Sequence, residues 1–137
     1  MDIRIYYEDT DCGGIVYHAN YLKYFERART DYLEARGISV GALLKDGTQF
    51  YVVKASLEFK APARYGETLR IETSLSACGK ASVEFTYRVH ELTTSRLIAE
   101  GATTLATVDM EGRVKRLPDG LIEQLKAPPS RKGDRHG

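Results

Sequence analysis

The stretch NYLKYFERARTDYLEARG, residues 20–37, decides the fold, because here the chain leaves a period of two for the period of a helix. Tyr21, Tyr24, Phe25, Ala28, Tyr32 and Ala35 recur at helical spacing, while Lys23, Glu26, Arg27, Thr30, Asp31 and Glu34 fill the opposite side. That is the pattern of an amphipathic helix that buries one stripe. Gly37 is a natural stop, and His18 or Asn20 marks the cap region at the other end. The spacing of the aromatic residues is what packing on a sheet requires, so the stripe is core rather than a cofactor surface.

Outward from the helix, the period is that of strands. Residues 2–8 alternate, with Ile3, Ile5 and Tyr7 on one side and Arg4, Tyr6 and Glu8 on the other, the mark of a half-buried strand. Cys12-Gly13-Gly14 then carries two glycines, which suit a shaped loop. After a short helical connector at residues 39–46, alternation returns. Tyr51, Val53, Ala55, Leu57 and Phe59 share a side, then Leu69, Ile71, Thr73, Leu75 and Ala77, then Val83, Phe85, Tyr87 and Val89, then Leu97, Ala99, Gly101, Thr103 and Leu105. Gly79-Lys80 and Thr93-Thr94-Ser95 suit short hairpins, so the last three strands form an antiparallel meander. The fold class is α+β, a long helix against an antiparallel sheet of about five strands. One helix covers one face only and leaves an edge open, which predicts a homo-oligomer.

The chain has 137 residues, 42% of them hydrophobic, enough for one compact domain over residues 1–126. Residues 127–137 lack apolar anchors and are expected to form a disordered tail. Lys and Arg number 20 against 19 for Asp and Glu, a balance that speaks against a nucleic-acid partner. Charges interrupt every apolar run, so no membrane span is expected. The start carries Asp2 and Arg4 without an apolar leader, which points to a cytoplasmic location. Cys12 and Cys78 are too few for a disulfide framework and are expected to be free thiols.

Chemistry concentrates in YYEDTDCGGIVYHANY, residues 6–21, where a strand end, a glycine loop and a helix start meet. Free N–H groups at a helix start stabilise an anion or a developing oxyanion, and a nearby carboxylate can act as base or nucleophile. Asp9 and Asp11 could equally be turn or cap carboxylates, His18 a cap or packed histidine, and Tyr7 a core residue. No ligand spacing for a metal accompanies Glu8, Asp9, Asp11 and His18, and no phosphate loop or nucleophile elbow occurs. Cys12 has no base among its neighbours in sequence and reads as incidental. His90 and His136 have no motif around them. A site here uses a carboxylate, without metal or cofactor.

Residues 7–21, Tyr7-Glu8-Asp9-Thr10-Asp11-Cys12-Gly13-Gly14-Ile15-Val16-Tyr17-His18-Ala19-Asn20-Tyr21, followed by Phe25-Glu26-Arg27-Ala28-Arg29, resemble the YbgC-like acyl-CoA thioesterases, in the 4-hydroxybenzoyl-CoA thioesterase branch of the hotdog-fold superfamily. The likeness continues more loosely through Phe59-Lys60-Ala61-Pro62-Ala63 and the meander. It implies a helix wrapped by the sheet, a dimer with a continuous sheet and often a dimer of dimers, a homotetramer. It also implies an acyl-CoA substrate, Asp11 as catalytic base or nucleophile, His18 assisting, Tyr7 lining the site and the backbone at the helix start polarising the thioester carbonyl. Cys12 departs from the family, whose members commonly carry a small residue or proline there. The alternative is a non-catalytic acyl-CoA or acyl-carrier-protein binding module. A hotdog dehydratase is disfavoured, since its His and proline-glycine turn are absent.

Overall fold

A computed structural model describes residues 1–11, 13–16 and 18–129, with His18 described by its place in the main chain only. Cys12, expected as an incidental free thiol, and the expected tail from residue 130 onward lie outside the described residues. The elements are β1 (Asp2–Arg4), a 3-10 turn (Tyr7–Asp9), α1 (His18–Glu34), α2 (Val40–Lys45), β2 (Gln49–Phe59), β3 (Thr68–Cys78), β4 (Ser82–Glu91), β5 (Leu97–Val108) and α3 (Leu121–Lys126). The five strands form one antiparallel sheet in the order β1-β3-β4-β5-β2. No helix among the described residues is long and apolar enough to cross a membrane.

The helix lies on the sheet through the expected stripe. Tyr21, Tyr24, Phe25 and Ala28 are buried, and each large side chain removed from water contributes roughly 1.5–3 kcal/mol. The Phe25 ring stacks on Tyr87 of β4 with centroids 4.2 Å apart. The Phe25 ring needs Gly101 of β5, where an added Cβ would stand 2.5 Å from Phe25 Cε2. Gly37 ends the helical segment with φ of 76°, and the Ile38 N–H donates back to the Leu33 carbonyl at 3.0 Å, closing the last turn.

Three expectations change. The first strand stops at Arg4 instead of running to residue 8, because Asp9 Oδ2 accepts the Tyr6 N–H at 3.0 Å and winds residues 7–9 into a 3-10 turn. Tyr7 is thereby turned outward and is 71% exposed, so it is not core. In β3 a bulge between Leu75 and Ala77 reverses the alternation, leaving Ala77 exposed and packing Cys78 against the core. Helix α3 is an element that the period analysis did not assign. It is tied to the end of α1 by Tyr32 Oη donating to the Leu125 carbonyl at 2.8 Å and Arg36 Nε donating to the Ala127 carbonyl at 2.8 Å.

Candidate active site

Asp11 sits in the loop between the 3-10 turn and α1, seven residues before the helix start at His18. Its Oδ1 accepts the N–H of Gly13 at 2.8 Å and of Ile15 at 3.3 Å, while its own N–H donates to the Ile15 carbonyl at 2.9 Å. The loop therefore closes on one carboxylate oxygen. Both glycines are used. A Cβ at Gly13 would lie 3.3 Å from Asp11 Oδ1, and Gly14 adopts φ of 77°, which a side chain disfavours. Asp11 Oδ2 has no hydrogen-bond partner among the described residues.

The loop rests on residues 62–67. Val16 N–H donates to the Ala63 carbonyl at 3.0 Å and Tyr65 N–H to the Gly14 carbonyl at 3.2 Å. Arg96 fixes that support, with Nη2 donating to the Pro62 carbonyl at 3.1 Å and to both carboxylate oxygens of Glu67 at 3.1 and 3.2 Å. Glu67 Oε1 also accepts the Arg64 N–H at 2.8 Å. A charge-assisted group of this kind is strong and directional, so the base of the loop is firmly placed.

The helix grips the other side. Asn20 Nδ2 donates to the Asp9 carbonyl at 2.7 Å, so this residue acts as a tether within the first helical turn rather than as a cap. Tyr7 and Tyr65 meet edge to face at 6.1 Å, and with Tyr6 they leave three well-exposed aromatic rings beside the loop. Burial pushes the Tyr21 hydroxyl up to about 12, the Glu67 carboxylate adding to it. Burial drives the Tyr24 hydroxyl higher still, helped by the Asp9 carboxylate and by Tyr21 and opposed by Arg27. Both phenols are therefore neutral at pH 7. Among the described residues no group of three or more His, Cys, Asp or Glu is placed to hold a metal ion.

Of the residues singled out in the sequence, Asp11 lies in the loop, Tyr7 in the turn before it and His18 at the first position of α1. Sequence reasoning missed Asn20 as a tether, Tyr65 as the neighbour of Tyr7, and the Ala63–Tyr65 support. For Asn20 the only signal was its place next to the helix start. A separate cavity of about 130 Å³ lies further along α1, lined by Glu26, Arg29, Leu33, Phe85 and Leu105 among others. There Arg29 Nη1 donates to Tyr87 Oη at 3.5 Å, and Tyr87 Oη shares a 2.7 Å hydrogen bond with Thr103 Oγ1.

Comparison with known proteins places the chain in a family. Residues 6–125 match the thioesterase-like superfamily. The acyl-CoA thioester hydrolase YbgC of Escherichia coli O6:H1 is 36% identical over 125 residues, covering 90% of this chain and 92% of that protein. The acyl-CoA thioesterase YbgC of Haemophilus influenzae is 35% identical over 126 residues, covering 91% and 89% respectively. A solved 1,4-dihydroxy-2-naphthoyl-CoA thioesterase from Synechocystis, Slr0204, superimposes with a TM-score of 0.84 at 21% identity, covering 91% of this chain and 93% of that one. That likeness establishes a shared fold.

Proposed function

The chain belongs to the thioesterase-like superfamily, in the family of the YbgC acyl-CoA thioesterases, and from that membership we propose that it hydrolyses acyl-CoA thioesters with Asp11 as the reacting carboxylate. The observation that carries the proposal is the state of Asp11. One oxygen is committed to the Gly13 and Ile15 N–H groups, which aligns the other for chemistry next to the start of α1. The thioester carbonyl oxygen accepts a hydrogen bond from the backbone at the helix start, near His18, where the partial positive charge of the helix favours the developing oxyanion. Asp11 Oδ2 then takes a proton from a water whose oxygen attacks the carbonyl carbon, or itself attacks to form a mixed anhydride that water cleaves. Either way the carbon–sulfur bond breaks, coenzyme A leaves as a thiolate that is reprotonated, and the free acid remains. His18 assists at the helix start, and Tyr7 lines the approach.

The hotdog arrangement supports the same reading, with one domain over residues 1–126 in which the sheet wraps α1. Strand β2 is an open edge of the sheet, and Tyr51, Val52 and Val53 on it are each about half exposed or more. Pairing of this edge with a second copy gives a homodimer, and pairing of dimers a tetramer, covering what a monomer leaves wet. The test is a panel of acyl-CoA esters incubated with the purified protein and a thiol reagent. Release of free coenzyme A from at least one ester is expected. Binding of acyl-CoA without thiol release would make the protein a carrier rather than an enzyme.

A further inference from the structure

The turn Arg64-Tyr65-Gly66-Glu67 is stitched to the Asp11 loop on one side and to the chain after β1 on the other. Tyr65 N–H donates to the Gly14 carbonyl at 3.2 Å and Gly66 N–H to the Ile5 carbonyl at 3.1 Å, while Glu67 N–H closes the turn on the Arg64 carbonyl at 3.1 Å. Gly66 supplies the φ of 90° for that closure, a value that favours glycine. Around this turn three rings are open to water, Tyr6 at 60%, Tyr7 at 71% and Tyr65 at 59% exposure. Tyr7 and Tyr65 already hold each other edge to face, so offering them to a ligand costs little side-chain freedom. Exposed apolar surface rimmed by polar groups marks a contact site.

Two arginines supply the rim. Arg4 lies with its guanidinium 5.9 Å from the Tyr6 ring centre, and Arg64 opens the turn. Both are exposed, and among the described residues neither has a carboxylate within ion-pair distance. Arg70, Arg88, Arg96 and Arg113 each have one. Glu67, the acid of the turn itself, is taken up by the Arg96 guanidinium and the Arg64 N–H. Its charge is spent there, and the Arg4 and Arg64 guanidinium groups keep their donors for an anion from outside.

We propose that this turn is the binding surface for the coenzyme A half of the substrate, with Tyr7 and Tyr65 packing on the pantetheine arm and Arg64 and Arg4 taking its phosphates. The proposal rests on the reading that an acyl-CoA thioester reacts at Asp11. With the thioester held at the Asp11 loop, the arm leaves over a border of that loop, and this border carries both partners that coenzyme A requires. Flat rings suit an arm of amides and methyl groups, and guanidinium N–H groups donate in pairs to phosphate oxygens. The contacts lie away from the reacting carbon and are the same before and during the reaction, so they lower KM and leave kcat alone.

The experiment compares wild type with Arg64→Ala, Arg4→Ala and Tyr65→Ala, and with Lys80→Ala, which removes one charge from the β3–β4 turn at the other end of the sheet. Each is assayed for thiol release from one acyl group carried either by coenzyme A or by N-acetylcysteamine, which keeps the thioester and lacks the phosphates. Affinity for free coenzyme A is measured by calorimetry, and size by light scattering. Arg64→Ala is expected to raise KM for the coenzyme A ester and Kd for coenzyme A about tenfold, with kcat kept and the N-acetylcysteamine ester hydrolysed as by wild type. Arg4→Ala acts in the same direction, Tyr65→Ala weakens coenzyme A about fivefold, and Lys80→Ala changes neither constant. An unchanged Kd in Arg64→Ala overturns the proposal, and so does an equal loss on both esters, which is the mark of a damaged loop. A Tyr65→Ala protein that changes oligomeric state while keeping its Kd also overturns it, since the rings then serve a contact between copies. If wild type releases no thiol from any ester, the reading of Asp11 fails by itself and calorimetry decides the surface: coenzyme A bound by wild type and weakened by Arg64→Ala upholds it, and no binding by wild type overturns it.

Discussion

Gly101→Ala adds one methyl group at the point where the Phe25 ring of α1 lies against β5. The new Cβ would stand 2.5 Å from Phe25 Cε2, 2.8 Å from Phe25 Cζ and 2.8 Å from the Ser56 carbonyl oxygen. Carbon atoms rest about 3.5–4.0 Å apart, so either the ring or the backbone must move by about an ångström. Neither has free space. The Phe25 ring is fully buried and backed by Tyr87 at 4.2 Å, and Ser56 belongs to the β2–β5 ladder, whose register runs through Leu57 opposite Gly101. Overpacking costs about 1–3 kcal/mol, and two blocked directions put this case near the upper end. Removing a glycine from the unfolded chain returns about 0.4–1 kcal/mol, for a net loss of about 2 kcal/mol. In a domain of this size that corresponds to a fall of roughly 8 °C in Tm, readable by thermal or urea unfolding. The cause is specific, so the loss should shrink when Phe25→Leu shortens the ring side, a non-additivity that a double-mutant cycle measures. A Gly101→Ala protein that melts with wild type, or a cycle that is strictly additive, refutes the account of the helix contact.

Asp11→Asn keeps an oxygen that accepts the Gly13 N–H while removing the basic one, so kcat for thiol release should fall by about 10²–10⁴ with the fold kept. Folded variant retaining more than about a tenth of wild-type turnover contradicts a positioned base. Glu91 caps the β4–β5 turn, accepting the Thr94 N–H at 2.7 Å and the Thr94 hydroxyl at 2.8 Å. Those bonds and the Thr93 amide hold its carboxyl down at about 2 against an ordinary 4.5. A depressed folded-state value stabilises fully above the ordinary one and is lost as pH falls from there toward 2, so Glu91→Gln should flatten the acid limb of a stability–pH curve. Identical limbs in variant and wild type would dismiss the cap. Val53→Lys places a charge on the open β2 edge and should convert the wild-type oligomer to monomer by light scattering, and a wild type already monomeric at micromolar concentration would remove the edge-pairing proposal.

What could be read from the sequence follows from how much of each element is internal. Strand β4 lies at the centre of the sheet, and Val83, Phe85, Tyr87 and Val89 are all buried, as its alternation implies. Strand β2 alternates just as clearly, yet Tyr51 and Val53 are 47% and 62% exposed. Alternation reports two faces, and at an edge both can be wet until another chain arrives. Tyr7 continued the period of β1 perfectly and was misplaced, because a local side-chain bond from Asp9 to the backbone competed with the strand and won. The site divides along the same line. The Asp11 loop was legible because its parts are consecutive: a carboxylate, two glycines and the N–H groups that follow. The bonds from Asn20 to Asp9 and from Val16 to Ala63 join residues far apart in the chain, and no spacing announces them. Tyr24 is the sharpest case. Its position on the helical stripe assigns its ring to the core, correctly, but periodicity senses only the ring. Whether a buried hydroxyl finds a partner depends on which polar groups tertiary packing brings within reach, and here none of the described residues hydrogen-bonds it.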